Sequence, residues 1–302
     1  MNDKKRLPKA IILIIISAFC FAVMNLCVSM SGNVPVIQKT FFRNLFAMII
    51  ASFAMIKNRH HILPKKGERA GLIMRSAFGF GGMLCNFYAL SHLAVADASL
   101  LNKMSPFFAV LFSVWILKER PNRIQILCIV TAFIGAMFVL KPTFANADLL
   151  PSCAGFIGGA CAGLAYTFVR KLTSGGTKGY YIVFFFSAFS TLCAAPALIF
   201  NYSPMTLMQW LCLIGAGIAA AGGQFAITAS YSYAPAREVS IYDYSQIIFA
   251  GLLGFFVMGQ IPDVFSFIGY AIIIGAALAM FLYNNMLYSR GSSGNNDRNL
   301  RR

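Results

Sequence analysis

Apolar stretches of membrane length follow one another through most of this chain of 302 residues. Each stretch spans roughly 20 residues, the length that an α-helix needs to cross a bilayer. Only 11% of the residues are charged, whereas a soluble domain carries about 25%. The stretches are continuous and do not alternate with a period of two, which excludes a transmembrane β-barrel. The sequence therefore predicts an all-α polytopic membrane protein with ten transmembrane helices, at 10–31, 34–56, 70–91, 95–117, 123–141, 151–170, 179–200, 207–232, 238–258 and 264–287.

The basic residues follow the predicted topology. The formal net charge is +16, and most of the 25 Lys and Arg residues fall in the two tails and in alternate connections between helices. This positive-inside pattern predicts a multi-pass protein of the cell membrane with both termini in the cytoplasm. Arg75 is counted here with the basic flank of the second connection. The expected counterpart of this charge is anionic lipid, not nucleic acid.

The second half of the chain repeats the first at an offset of 141 residues. Each half holds an odd number of helices, so the two copies must have opposite orientations in the membrane, as in secondary transporters with inverted repeats. The predicted organisation is a cytoplasmic tail (1–9), a first repeat (10–142), a second repeat (151–287) and a disordered cytoplasmic tail (288–302). The matched positions are Cys20 and Cys161, Gly82 and Gly223, Asp97 and Glu238, Ser99 and Ser240, Asn102 and Asp243, and Pro121 and Pro262.

Ten helices in two inverted halves, with the first half ending in the segment ILKERP and an apolar helix that contains glycine, resemble the EamA-type drug/metabolite transporter superfamily. The resemblance covers residues 10–287. It implies alternating access around a central cavity lined mainly by helices 1, 3, 4, 6, 8 and 9.

Two opposite charges lie deep in symmetric helices. Lys103 is roughly 9 Å along helix 4 from Asp97 at about 1.5 Å per residue, and Asp243 has a similar depth in helix 9. A charge at this depth costs about 2.5–3.5 kcal/mol and should face a partner or a cavity. The pair is predicted to meet near the pseudo-two-fold axis, either as a structural ion pair or as a site for substrate and proton. Since an ammonium and a carboxylate together match a zwitterion, an amino acid or related amphoteric metabolite is the leading substrate class.

Other polar groups are predicted to complete a substrate site. Ser99 and Ser240 either line it or bond back to their own helices, and Pro106 is expected to kink helix 4 beside it. The full predicted set of substrate-binding residues is Lys103, Asp243, Asn102, Tyr244, Ser99, Ser240, Tyr166, Asn25, Asn86 and Gln224.

Two further cations lie in helix 2. Lys39 is expected to snorkel to the interface. Arg43 is expected to form a structural ion pair with Asp97, or alternatively to serve as the counter-charge to Asp243.

Sequence motifs argue against an enzyme. The chain has no HExxH, GxSxG or P-loop motif, and its eight cysteines are scattered without a CxxC pair. Neither a metal nor a cofactor is therefore expected. The predicted function is secondary transport of a small polar or amphoteric metabolite, with H⁺ as a candidate coupling ion through Asp243. The alternatives are an uncoupled facilitator, or a transporter of a cationic or nucleoside-type metabolite such as S-adenosylmethionine.

Overall fold

The structure is a computed structural model that describes residues 6–57, 67–116, 118, 122–140, 149–200, 202–233 and 240–299. Every regular element among these residues is a helix, as the sequence predicts. They are α1 (Arg6–Met30), α2 (Val36–Lys57), α3 (Arg69–Leu90), α4a (Val95–Asn102), α4b (Ser105–Ile116), α5 (Arg123–Leu140), α6 (Leu149–Ser174), α7 (Gly179–Phe200), α8 (Leu207–Tyr233), a 3₁₀ helix (Ser240–Tyr244), α9 (Ser245–Met258) and α10 (Val264–Asn299).

The ten predicted helices are all present, but two of them are interrupted. Helix 4 breaks between Asn102 and Ser105, and helix 9 begins as a 3₁₀ helix that changes to an α-helix at Ser245. Helix α10 runs on to Asn299, whereas the sequence predicted disorder from residue 288. Adding a residue to an existing helix requires no new nucleation, so a polar segment can continue a long helix that precedes it.

Eight helical segments of the described chain are long and apolar enough to cross a membrane, and Arg123–Val139 forms a shorter apolar helix. Helix α3 is not among the eight although it has 22 residues. Its sequence carries Arg75, Ser76 and Asn86, and the fold buries all three side chains. Large apolar side chains face outwards on other helices, for example Phe53, Ile199 and Phe256. The bundle is therefore apolar on its outside and polar along parts of its interior.

The helices of one half pack mainly against helices of the other half. Helix α1 packs on α8 and α3 packs on α6, while α2 contacts α7 and α5 contacts α10. The two halves of helix 4 contact α6, and α9 contacts α1. Exchanging the two repeats converts each of these pairs into another pair of the set, or into itself. The contacts therefore follow a pseudo-two-fold axis between two inverted five-helix repeats.

Glycines allow the closest approaches between helices. A Cβ on Gly159 of α6 would lie 2.5 Å from the carbonyl oxygen of Leu101, and one on Gly163 would lie 2.6 Å from that of Ser105. These two glycines are four residues apart and share one face of α6. That face receives the backbone of helix 4 on both sides of its break.

One end of the bundle is tied by side-chain hydrogen bonds. The Gln38 amide donates to the Ser203 carbonyl (2.9 Å) and accepts from the Ser203 N–H (3.0 Å). The Gln260 Oε1 atom accepts from the Val95 N–H at the start of α4a (3.0 Å). Helix α9 ends at Met258, and the left-handed φ of +65° at the following Gly259 allows Gln260 to turn back over the helix. We call this set of contacts the tied end.

Lys39 also lies at the tied end, and the prediction that it snorkels to the interface is wrong. Its side chain is fully buried, and Nζ donates to the Ser91 hydroxyl (2.8 Å) and the Val28 carbonyl (3.3 Å). Neighbouring helices cover the position and supply neutral acceptors, so the ammonium has no route to water along its own helix.

Candidate functional site

A polar cavity of about 120 Å³ lies between the two repeats. The family resemblance implied a cavity lined mainly by helices 1, 3, 4, 6, 8 and 9. The structure adds α2 and α7 to these walls through Arg43 and Phe186. Its apolar walls include Phe21, Met24, Met83, Phe87, Phe186 and Ile227. Its polar lining consists of Asn25, Arg43, Arg75, Asn86, Asn102, Lys103, Tyr166, Gln224, Asp243 and Gln246. The combination of apolar walls with a few convergent polar groups is typical of a small-molecule site.

The ion pair between Lys103 and Asp243 lies at this cavity. Lys103 Nζ donates to Asp243 Oδ2, so the two charges face one another as the sequence predicted. The second carboxylate oxygen, Oδ1, is buried and has no hydrogen-bond partner within the described ranges. Both residues stand where a helix is interrupted, Lys103 after α4a and Asp243 in the 3₁₀ helix before α9. The pair therefore joins the symmetric breaks of the two repeats.

The break in helix 4 has a local cause. Pro106 has no N–H to offer the Asn102 carbonyl and its ring opposes a regular turn. The Phe107 N–H bonds to the Met104 carbonyl (3.1 Å) instead of continuing the ladder to Lys103. The Tyr244 hydroxyl donates to the freed Lys103 carbonyl (3.1 Å). The second repeat thus satisfies a backbone group that the first repeat leaves open.

Tyr244 and Ser99 do not line the cavity, contrary to prediction. The Tyr244 ring is buried beside the break. The Ser99 hydroxyl is buried in α4a and accepts from the Asn25 amide (2.9 Å). Tyr244 bonds to the backbone of Lys103 and Ser99 bonds to Asn25, so each of the two side chains helps to position a cavity residue. Ser240 lies in the 3₁₀ helix, and its side chain is outside the described residues.

The remaining predicted residues do meet at the cavity. Asn25, Asn86, Asn102, Tyr166 and Gln224 line it together with Lys103 and Asp243. The carbonyl oxygens of the Asn25 and Asn86 side chains are buried and have no hydrogen-bond partner in the described part of the chain. These orphan acceptors point to donors that a bound molecule or water would supply.

The predicted ion pair between Arg43 and Asp97 is absent. Arg43 Nη1 donates to the Asn44 side-chain oxygen (2.8 Å), and the guanidinium lines the cavity. Asp97 Oδ1 instead accepts from the Tyr270 hydroxyl (2.6 Å). Asp97 lies in the first turn of α4a, where Tyr270 of α10 reaches it.

Sequence reasoning missed Arg75 as a cavity residue. It was counted as a cytoplasmic flank, but its side chain is only 6% exposed and its guanidinium lies 3.8 Å from the centre of the Phe186 ring. The signal was present in the spacing of Arg75, Gly79, Gly82 and Asn86, which places all four on one face of α3. That face turns to the cavity.

Two inverted helical repeats that meet at a polar cavity with interrupted helices define the architecture of a membrane transporter. Comparison with known proteins agrees. The model of the EamA-like transporter family matches residues 8–141 and again residues 149–282. The chain belongs to the EamA-like transporter family.

Several relatives are named as transporters or solute carriers, and two of these names give different solutes. The chain is 30% identical to the pseudopaline exporter of Pseudomonas aeruginosa, over 91% of this chain and 96% of that protein. It is 25% identical to a riboflavin transporter of Brucella anthropi, over 85% and 93%. Human solute carrier family 35 member G1 is 24% identical, over 82% and 72%. A solved crystal structure shares the fold, with a TM-score of 0.65 at 18% identity, over 92% of this chain and 98% of that one. The chain is thus a multi-pass membrane transporter that takes a small-molecule substrate.

Proposed function

We propose that this protein is a secondary transporter that moves a small polar or amphoteric metabolite, an amino acid or a related compound, by alternating access. The observation that supports this most directly is the Lys103–Asp243 ion pair, which joins the two interrupted helices at the wall of the central cavity. A zwitterion can replace each half of the pair, with its carboxylate at Lys103 and its ammonium at Asp243.

Alternating access needs an element that both repeats share and that a ligand can change. The ion pair meets this requirement because it is the charged contact between the breaks of helix 4 and helix 9. A bound zwitterion offers each charge a new partner, so the free energy of separating the repeats falls when the cavity is occupied. Asp243 is also the one carboxylate among the described lining residues. We therefore assign it the coupling proton, if the transporter uses one.

The first test is transport by the purified protein in proteoliposomes with an imposed pH gradient. The solute panel should hold amino acids, pseudopaline and riboflavin, since relatives are named for the last two. Asp243→Asn keeps the shape and a hydrogen-bonding group but cannot be charged, so we expect it to fold and to lose accumulation driven by the gradient. Undiminished accumulation in Asp243→Asn would rule out the proton role. Equilibration of solute without accumulation in the unmutated protein would identify an uncoupled facilitator instead.

The second test separates folding from recognition. Lys103→Asp alone places two carboxylates side by side and should destabilise the protein by roughly 3–5 kcal/mol, the cost of breaking a buried pair. Adding Asp243→Lys restores the pair in reverse and should restore the melting temperature. Transport should stay lost, because the charges then stand opposite to those of the bound zwitterion. Normal transport by the double variant would contradict the recognition model.

We also propose that both termini face the cytoplasm of the cell membrane, from the distribution of Lys and Arg. A fluorescent protein fused after the last residue should then mature in a bacterial host, and an alkaline phosphatase fusion at the same place should be inactive. The opposite result would reverse the topology.

A further inference from the structure

We propose that Arg43 and Arg75 form a subsite for an oxyanion in the central cavity, so that the solute carries more anionic than cationic groups. This inference deepens the proposed function and rests on it for the claim that the bound anion is the transported solute. Arg43 comes from α2 and Arg75 from α3, and both line the same cavity as Lys103 and Asp243.

The two guanidinium groups are buried and incompletely bonded. Arg43 is 4% exposed and Arg75 is 6% exposed. Among the residues that the structure describes, Arg43 Nε has no hydrogen-bond partner, and neither Nε nor Nη1 of Arg75 has one. Buried donors of this kind are almost always paired in folded proteins. Three open donors on two arginines at one cavity therefore indicate a ligand that accepts hydrogen bonds.

The charges of the cavity are unbalanced. Its described lining holds three cations, Arg43, Arg75 and Lys103, against the single carboxylate of Asp243. Asp243 is already paired with Lys103. Two positive charges are thus left without a carboxylate among the lining residues that the structure describes. A neutral zwitterion satisfies the Lys103–Asp243 pair and leaves this excess in place, whereas a solute with additional anionic groups neutralises it.

The surrounding residues hold both arginines in position. Arg75 stacks on the Phe186 ring, and a Cβ on Gly79 would lie 3.1 Å from Arg75 Nη1 and 2.9 Å from that ring. Glycine at this position therefore leaves the space that the stacked guanidinium occupies. Arg43 Nη1 is fixed by the Asn44 side chain, which itself donates to the Thr40 carbonyl (2.8 Å). Groups that are already ordered lose little freedom when an anion binds.

The chemistry of the guanidinium group indicates the class of ligand. A guanidinium presents parallel N–H donors that fit the paired oxygens of a carboxylate or phosphate. The expected solute places one such group at the two arginines, and its amine, if it has one, at Asp243. Amino dicarboxylates satisfy both parts, and phosphorylated amines would satisfy them as well.

The experiment is a binding series on the full-length protein in detergent at constant ionic strength. The probes are glutarate, glutamate, glutamine, putrescine and inorganic phosphate, and the measurements are the melting temperature and calorimetric affinity. We expect glutarate and glutamate to raise the melting temperature and to bind at least tenfold more tightly than glutamine, with no effect of putrescine. Stabilisation by phosphate but not by the carboxylates would support an oxyanion subsite and assign it to phosphorylated solutes. Stabilisation by putrescine alone, or by no anion, would overturn the inference.

Variants locate the binding. Arg43→Gln and Arg75→Gln should each weaken anion binding at least tenfold, and the exposed Arg123→Gln should not change it although it removes the same charge. Equal affinities in all three variants would overturn the assignment. If the cavity variants fail to fold, the probe series on the unmutated protein still shows whether the protein binds an oxyanion. Anion binding without movement of any solute in proteoliposomes would contradict the proposed function and leave the subsite standing.

Discussion

At the scale of single residues, a contact between the repeats satisfies a backbone group at the break in helix 4. The Tyr244 hydroxyl donates to the Lys103 carbonyl, which is left open because the Phe107 N–H bonds to the Met104 carbonyl. A buried carbonyl that loses its partner costs free energy because no water replaces the hydrogen bond. We therefore expect Tyr244 to support the break beside the site, whereas the sequence placed it among the substrate ligands.

Tyr244→Phe should lower the free energy of unfolding by about 1 kcal/mol, the worth of one hydrogen bond. The ring and its packing remain, so the affinity for solute should change little. Thermal unfolding in detergent and a binding isotherm measure the two effects separately. The control is Tyr242→Phe, because Tyr242 is among the exposed residues and its change should leave stability unaltered. A large loss of affinity with unchanged stability in Tyr244→Phe would return the residue to the binding site.

At the scale of elements, the apolar runs predict the helices well because a bilayer requires about 20 apolar residues for each crossing. The bounds of α2, α3 and α7 differ from the predicted ones by only a few residues. The break in helix 4 was foreseen as a kink because proline acts locally. The 3₁₀ start of helix 9 has no such residue within it, and no break was predicted there.

The site was less predictable than the helices. The sequence shows how deep Lys103 and Asp243 lie in their helices, and the internal repeat predicts that they meet near the pseudo-two-fold axis. It does not distinguish an arginine that reaches the interface from one that turns inward, and so Arg75 was assigned to the flank. Nor does it show which neighbour a polar group finds, as Asp97 with Tyr270 illustrates. Long-range contacts between the halves decide both cases.

The close approach of α6 to helix 4 leads to a stability prediction. Gly159→Ala places a methyl group 2.5 Å from the Leu101 carbonyl oxygen, so helix 4 must move away. Overpacking of this kind costs about 1–3 kcal/mol, and the movement should also reduce transport because it displaces Lys103. Unfolding and initial transport rates measure the two effects.

The matched control for Gly159→Ala is Gly81→Ala. A Cβ on Gly81 of α3 meets nothing within 4 Å, and replacing a glycine inside a helix should stabilise it by roughly 0.5–1 kcal/mol. Equal effects of the two changes would mean that α6 and helix 4 do not pack as described.

At the scale of the whole molecule, the tied end should open during the transport cycle. Reciprocal hydrogen bonds between Gln38 and Ser203 join α2 to the residues that precede α8. Alternating access requires contacts on one side of the cavity to break while those on the other form. We expect Gln38→Cys with Ser203→Cys, in a chain whose eight native cysteines are replaced, to lose transport after treatment with a bifunctional methanethiosulfonate.

Reductant should release the crosslink and return the transport rate to its starting value. Each single-cysteine variant serves as the control, since it takes up the reagent without joining the two segments. Full transport by the crosslinked protein would show that the tied end stays closed throughout the cycle.

The pairing of helices across the two repeats also has a consequence for biosynthesis. Helices α1 and α3 find their main partners in α8 and α6, which the ribosome makes only after the first five helices are complete. The first half must therefore wait in the bilayer with its arginines and Lys103 exposed to lipid or to the insertion machinery. Crosslinking of arrested nascent chains that end after α5 should detect this waiting state. Because the main helix pairs join the two repeats, the packed interior of the protein can form only while the second repeat is being translated.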